Sequence, residues 1–275
     1  MTILQAIQQG ERLLQDHGIQ EARWNAEQVV IIVLSTSRTR IYSEPGIELS
    51  EVQLQSLEEG FLRRANHYPL AYLEGKQEFL GHDFVVNENV LIPRPETQEI
   101  VRGALAVPLP PNPRVLDIGT GSGILAITLS RLIETSEMFV MEISTEALAV
   151  FRFNSQRSIP AVQGDLFQCP FLSESFDLIV SNPPYVEERE LRELPPETLW
   201  EPRVALVASS LERVYRSLLQ QAGRILKPGG FLIFEIGFGQ RERIEALCAQ
   251  HSQFQILDIR VDDAGIPRTF VLIRI

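Results

Sequence analysis

From residue 114 to the C-terminus, short apolar runs alternate with stretches of helical periodicity, and this alternation limits the possible fold more than any other feature. Residues 114–118, 138–142, 161–163, 176–181, 230–236, 254–261 and 269–275 have the length and β-branched or aromatic content of strands. Residues 123–133, 145–155, 209–226 and 240–250 carry apolar side chains at helical spacing. Strands separated by helices pair in parallel, because a helix-length crossover returns the chain to the same end of the sheet. The expectation is an α/β fold with a mostly parallel sheet covered on both faces, and with residues 269–275 as a last strand closing one edge.

Ahead of residue 114 the pattern differs. Ile3, Ile7, Leu13 and Leu14, then Ala26, Val29, Val30, Val33 and Leu34, then Leu54, Leu57, Phe61 and Leu62 recur at three- and four-residue spacing, which predicts a small helical bundle up to about His67. Thr2 and Ser50 stand where caps would open the first and third helices, and Gly18 and Pro45-Gly46 break the connections. Residues 68–95 turn aromatic and β-branched around Gly75 and Gly81, so a hairpin-like linker is expected, and Pro108, Pro110, Pro111 and Pro113 make a stiff spacer. A chain of 275 residues can hold one full core and a smaller second one. The division expected is a helical domain over residues 1–70, a hairpin linker over 71–95 and an α/β domain over 96–275.

No stretch approaches the roughly 18 apolar residues of a bilayer-crossing helix, and no basic-then-apolar leader opens the chain, so a soluble cytoplasmic protein is expected. Cys169 and Cys248 lack paired ligand spacing, which argues against a disulfide framework or a zinc site. The net charge of −11 works against binding nucleic acid, whose non-specific affinity comes from neutralised phosphates, and favours a protein partner. His17, His67, His82 and His251 fit no catalytic grouping and read as surface or linker residues.

Chemistry concentrates in two places. The strand Val115-Leu116-Asp117-Ile118 runs into Gly119-Thr120-Gly121-Ser122-Gly123 and then a helix, so that glycines without Cβ can bring backbone close to a ligand. Glu142 ends the next strand about twenty residues on, where a carboxylate can accept from two ribose hydroxyls. The glycine spacing is not that of a dinucleotide site, and no Gly-Lys-Ser/Thr follows to hold phosphates, so a nucleoside without pyrophosphate fits better. Asp165 could accept from an adenine amino group while Leu166 packs near the ring, although an aspartate there also suits a plain turn.

The second place is Asn182-Pro183-Pro184-Tyr185, at the carboxyl edge of the strand over 176–181. Two prolines stiffen the corner; Asn182 offers a side-chain oxygen, Pro183 a backbone oxygen and Tyr185 a flat ring. Such a corner matches a planar NH2 group. An amide or aniline-like nitrogen is a poor nucleophile because its lone pair is delocalised, and two acceptors on its hydrogens would hold it in line with a sulfonium methyl. The chemistry this favours is methyl transfer from S-adenosylmethionine, with S-adenosylhomocysteine as product. The same acceptor pair would fit adenine N6 in nucleic acid, and a donor-binding protein without catalysis would keep the glycine turn alone.

These segments, with Pro69-Leu70-Ala71-Tyr72-Leu73-Glu74-Gly75, Glu78-Phe79, Val90-Leu91-Ile92-Pro93-Arg94-Pro95-Glu96-Thr97 and Glu201-Pro202-Arg203-Val204-Ala205-Leu206, make the sequence similar to the HemK/PrmC protein-(glutamine-N5) methyltransferases over nearly its whole length. The tetrapeptide is shared with adenine-N6 methyltransferases; the Pro-Arg-Pro-Glu-Thr and Glu-Pro-Arg-x-Ala-Leu segments narrow the resemblance. It implies a Rossmann-like seven-stranded class I methyltransferase domain with an antiparallel last strand, joined through a β-hairpin to a small N-terminal helical domain that recognises substrate. The implied substrate is the glutamine of the Gly-Gly-Gln motif in class I peptide chain release factors; charge, hydropathy and cysteine spacing add the expectation of no direct nucleic-acid or membrane partner and no metal, and a monomer is expected. Carried onto this chain, Gly119, Thr120, Gly121, Ser122, Gly123, Glu142, Asp165, Leu166 and Asn182 would bind the donor. Asn182, Pro183, Pro184 and Tyr185 would bind the glutamine, with Asn182, Pro183 and Tyr185 catalytic. Residues 93–97 would close over both ligands, or simply open a helix at Glu96. Three positions depart from the family pattern: Gln98 for Glu, Glu142 for Asp, and Val207-Ala208-Ser209-Ser210 for a Gly- and Asp-rich turn.

Overall fold

In the computed structural model, which describes residues 1–275, the chain divides into two compact units, Met1–Lys76 with Pro195–Trp200, and Gln77–Leu194 with Glu201–Ile275. The first unit holds α1 (Ile3–Asp16), α2 (Ala22–Val33), α3 (Arg38–Ser43), α4 (Glu51–Ala65) and α5 (Leu70–Glu74). Thr2 and Ser50 each close a capping box, with Gln5 and Gln53 reaching back to the cap amides. Ile7, Leu14, Val29, Val30 and Leu57 fill the core. Gly10 lies under Phe61, where a Cβ would stand 2.3 Å from the ring, so α1 and α4 meet only because that position is glycine. The segment Pro195–Trp200 is bonded here: Arg64 Nη2 donates to Glu197 at 2.7 Å and the Trp200 indole donates to the Asn66 carbonyl at 3.1 Å. The first residues of the expected linker form α5, which Gly75 ends at φ 77. The hairpin proper is shorter, β1 (Lys76–Phe79) and β2 (His82–Val85).

The second unit continues with α6 (Gln98–Ala106), β3 (Arg114–Ile118), α7 (Ile124–Leu132), β4 (Glu137–Glu142), α8 (Thr145–Asn154), β5 (Ala161–Gln163) and β6 (Phe176–Ser181). It ends with α9 (Arg203–Leu206), α10 (Leu211–Ile225), β7 (Leu226–Glu235), α11 (Arg241–Ala249), β8 (Phe254–Val261) and β9 (Pro267–Arg274). Its seven strands lie in the order β5-β4-β3-β6-β7-β9-β8, a Rossmann-like sheet in which β9 alone is antiparallel. Strand side chains alternate between two cores, as the pleat requires. Leu116, Ile179, Leu232 and Leu272 face α10 and α11, whereas Val115, Leu178, Ile233 and Val271 face α6, α7 and α8.

One expectation is corrected. The last strand, β9, does not close an edge; it lies between β7 and β8, antiparallel to both. Thr269, Phe270, Val271 and Leu272 are buried, while Gln255, Leu257, Asp258 and Val261 of β8 are exposed. The strand with least apolar surface to bury takes the edge, and its polar side chains discourage further pairing. No helix is long and apolar enough to cross a membrane. Both cysteines are buried free thiols.

Candidate active site

β3 and β6 are neighbours that pair in parallel, with Ile118 opposite Ser181. The buried Ser181 Oγ donates to the Ile118 carbonyl at 2.8 Å, so the two strands release Gly119 and Asn182 side by side. From β3 the chain steps outward to β4 and β5, then returns to the other side at β6. Such a reversal leaves a crevice at the strands' carboxyl ends. A cavity of about 260 Å3 opens there, and Gly119, Thr120, Gly121, Ser122, Glu142, Asp165, Leu166, Asn182, Pro183 and Pro184 line it. Gly123 and Tyr185 do not line it.

The glycines divide the labour. Gly119 and Gly121 sit at φ 75 and φ 55, and a Cβ on either would meet nothing within 4 Å, so backbone faces open space. Gly123, at φ 91, is a packing glycine: a Cβ would stand 2.6 Å from Phe151 and 2.9 Å from Ile127. The fully buried Asp117 accepts from Thr120 Oγ1 at 2.7 Å and from the Ala126 amide at 3.2 Å, tying the turn to the start of α7. Burial pushes its carboxyl up to about 7, against these two bonds, which pull it down. Glu142 folds back as its extra methylene demands, accepting from the amides of Gly121 (3.0 Å), Ile143 (2.8 Å) and Ser144 (3.0 Å). Asp165 caps a short 3-10 turn, accepting from the Phe167 amide at 2.9 Å, and still borders the cavity.

Asn154, which carries no sequence signal, holds this turn from behind. Its Nδ2 donates to the carbonyls of Ser122 (2.8 Å) and Val85 (2.9 Å), and its Oδ1 accepts from the Val85 amide at 2.8 Å. Asn154→Ala strands three backbone groups and should cost about 1–3 kcal/mol. At this chain length that lowers the melting midpoint by about 2–4 °C per kcal/mol. An unchanged midpoint would mean that water replaces the side chain without loss.

At the proline corner, Asn182 Nδ2 donates to Thr97 Oγ1 at 3.3 Å, which leaves its oxygen on the other side of the carboxamide. Tyr185 is half-buried, packs on the core, and donates its hydroxyl to Glu235 at 3.2 Å. Burial first, and then the nearby Glu235 carboxylate, push its phenol far above the usual range, so it stays a donor. Gln240 Nε2 donates to the Tyr185 carbonyl at 2.9 Å. Val186 bridges to the strip beyond α9: its amide donates to the Leu206 carbonyl (3.0 Å) and its carbonyl accepts from the Ala208 amide (2.9 Å). The altered turn after Leu206 therefore braces the corner, and Ser210 goes on to cap α10. Arg94 pairs with the buried Glu201, which also accepts from the Ile92 amide at 3.0 Å, so the Pro-Arg-Pro-Glu-Thr and Glu-Pro-Arg-x-Ala-Leu segments are bonded to each other. Glu96 does not open the helix alone: a 3-10 turn over Pro95–Thr97 precedes α6.

Residues 5–75 match the family described as PrmC N-terminal domain, and residues 115–199 match the family described as Methyltransferase domain. A release factor glutamine methyltransferase of Geobacter sulfurreducens is 38% identical over 237 residues, covering 84% of this chain and 82% of that protein. Its counterpart from Koribacter versatilis is 32% identical over 278 residues, covering 98% of each. Among solved structures, a methyltransferase from Pyrococcus furiosus superposes with a TM-score of 0.53 at 18% identity, covering 71% of this chain and 90% of that one, a likeness of fold.

Proposed function

Because the chain belongs to the release factor glutamine methyltransferase family, we propose that it methylates the side-chain amide nitrogen of the glutamine in the Gly-Gly-Gln motif of class I peptide chain release factors. The observation that carries this reading is the juxtaposition of Asn182 and the glycine turn in one cavity, with the Asn182 NH2 engaged by Thr97. The methyl donor is S-adenosylmethionine, which when bound supplies an electrophilic methyl on a sulfonium and leaves as S-adenosylhomocysteine. The cavity wall suits it: Gly119 and Gly121 present bare backbone to open space, and Glu142, Asp165 and Leu166 border the same volume. These residues, with Thr120 and Ser122, would hold the donor, and Gly123 would keep their turn packed.

The chain's part in the reaction is orientation and charge stabilisation. Asn182 Oδ1 and the Pro183 carbonyl accept from the two hydrogens of the substrate amide, turning its lone pair toward the donor. As the nitrogen gains positive charge, the same two oxygens stabilise it, and the methylated nitrogen then gives up one proton to water. Pro184 keeps the corner stiff, and Tyr185, outside the cavity lining, anchors it to the core through its ring and to Glu235 through its hydroxyl. The helical unit is assigned the role of gripping the release factor. The enzyme is read as a cytoplasmic monomer with no direct nucleic-acid contact.

The test is incubation with methyl-labelled donor and purified release factor, intact or with its target glutamine changed to alanine. Label on the intact factor alone is expected. Equal label on both would refute the assignment.

A further inference from the structure

Glu235 ends β7 at 2% exposure, in the otherwise apolar run Phe231–Ile236 of buried residues. A carboxylate so placed costs several kcal/mol unless its oxygens are bonded. Oε2 accepts from Thr97 Oγ1 at 2.7 Å and Oε1 accepts from the Tyr185 hydroxyl at 3.2 Å. An ionised carboxylate can only accept, so the one Thr97 hydroxyl proton points to Glu235. Thr97 Oγ1 is then left solely as an acceptor toward Asn182, 3.3 Å away. Only the Nδ2 end of Asn182 can satisfy it, which leaves Oδ1 at the other end of a side chain that lines the cavity.

We propose that Glu235, acting through the buried Thr97 hydroxyl, is a positioning residue that fixes which end of the Asn182 carboxamide meets the substrate. The proposal rests on the reading that this corner binds an amide. Packing alone cannot make the choice, because the oxygen and NH2 of a carboxamide have nearly the same shape. Were the Thr97 proton directed at Asn182, the side chain would turn over and set its NH2 against the substrate NH2. Two donors would then face each other, and the nitrogen would be neither aligned nor stabilised.

Burial pushes the Glu235 carboxyl up to about 7, while the bonds from Thr97 and Tyr185 and the charge of Arg268 pull it down and Glu96 raises it. The other titratable neighbours are Tyr215, whose hydroxyl donates to the Glu235 carbonyl at 2.9 Å, and Arg94, which acts on Tyr185. Protonated, Glu235 becomes a donor and releases the Thr97 proton. Turnover is therefore expected to fall as pH drops through this range.

Three variants, read by kinetics, calorimetry and NMR, test the relay. Thr97→Val should lower kcat about ten-fold or more with donor affinity, measured by calorimetry, within about two-fold. Thr97→Ser, which keeps the hydroxyl, should stay within about three-fold of the parent kcat. Glu235→Gln should flatten the acid limb between about pH 6 and 8, whatever its absolute rate. Without substrate, the Asn182 side-chain NH2 should exchange slowly with solvent in the parent by NMR and rapidly in Thr97→Val. Parent-like kcat in Thr97→Val, parallel loss of kcat and donor affinity, or an unchanged acid limb in Glu235→Gln would each overturn the relay. A parent enzyme that fails to label release factor refutes the substrate assignment instead, and the NMR comparison still decides the relay.

Discussion

Asn182→Ala is expected to lower kcat by about 10²–10³, equivalent to about 3–4 kcal/mol of transition-state stabilisation, the effect of deleting one oriented hydrogen-bond partner from a water-poor site. The fold should survive, because Asn182 is only half-buried and its one protein bond, to Thr97, is a long one at 3.3 Å. The expected signature is a melting midpoint within a few degrees of the parent, modestly weaker donor binding and a collapse of single-turnover labelling. Asn182→Asp sharpens the inference. Aspartate keeps an acceptor but has no NH2 to give Thr97, whose own proton is committed to Glu235, so it should place an unsatisfied charge beside an oxygen and also fail. If either variant turned over at the parent rate, the corner would not be where the amide is aligned.

The sheet was legible in the sequence because its signal is local: each buried strand is a short apolar run, and each crossover helix carries its own periodicity. Strand order was not legible at β9. Its sequence and that of β8 are both strand-like, and only the difference in buried surface, seen once the partners are known, puts β8 outside. The cavity-lining residues could be read because Gly119, Gly121 and Asn182 follow on strand ends, where chain direction alone brings them together. Their support could not. Asn154 lies at the end of a helix, and Glu201 lies over a hundred residues from the Arg94 it pairs with. Glu235 did leave a trace, an acid closing the apolar run Phe231–Phe234, which a rule against unpaired buried charge would have flagged. Local patterns specify what lines the cavity, whereas the bonds that hold that lining in place depend on long-range contacts.

The largest stability effect is expected from Gly123→Ala. At φ 91 an L-residue pays roughly 1–2 kcal/mol for the left-handed backbone. The added methyl would also lie 2.6 Å from Phe151, a ring with no exposed surface, and 2.9 Å from Ile127, so one or both must move at about 1–3 kcal/mol for overpacking. Together these amount to about 2–5 kcal/mol, a large part of the 5–15 kcal/mol typical of a folded domain. Gly121→Ala is the control that separates packing from binding. Its backbone is also left-handed, at φ 55, but its methyl would meet no protein atom within 4 Å and would project toward the cavity. Calorimetry should therefore find Gly123→Ala strongly destabilised, and Gly121→Ala lowered only by its left-handed backbone, roughly 1–2 kcal/mol, but poor in donor binding. If Gly123→Ala melts with the parent while Gly121→Ala binds donor normally, the open face of the turn is not the donor's seat, and the left-handed glycines serve only to reverse the chain.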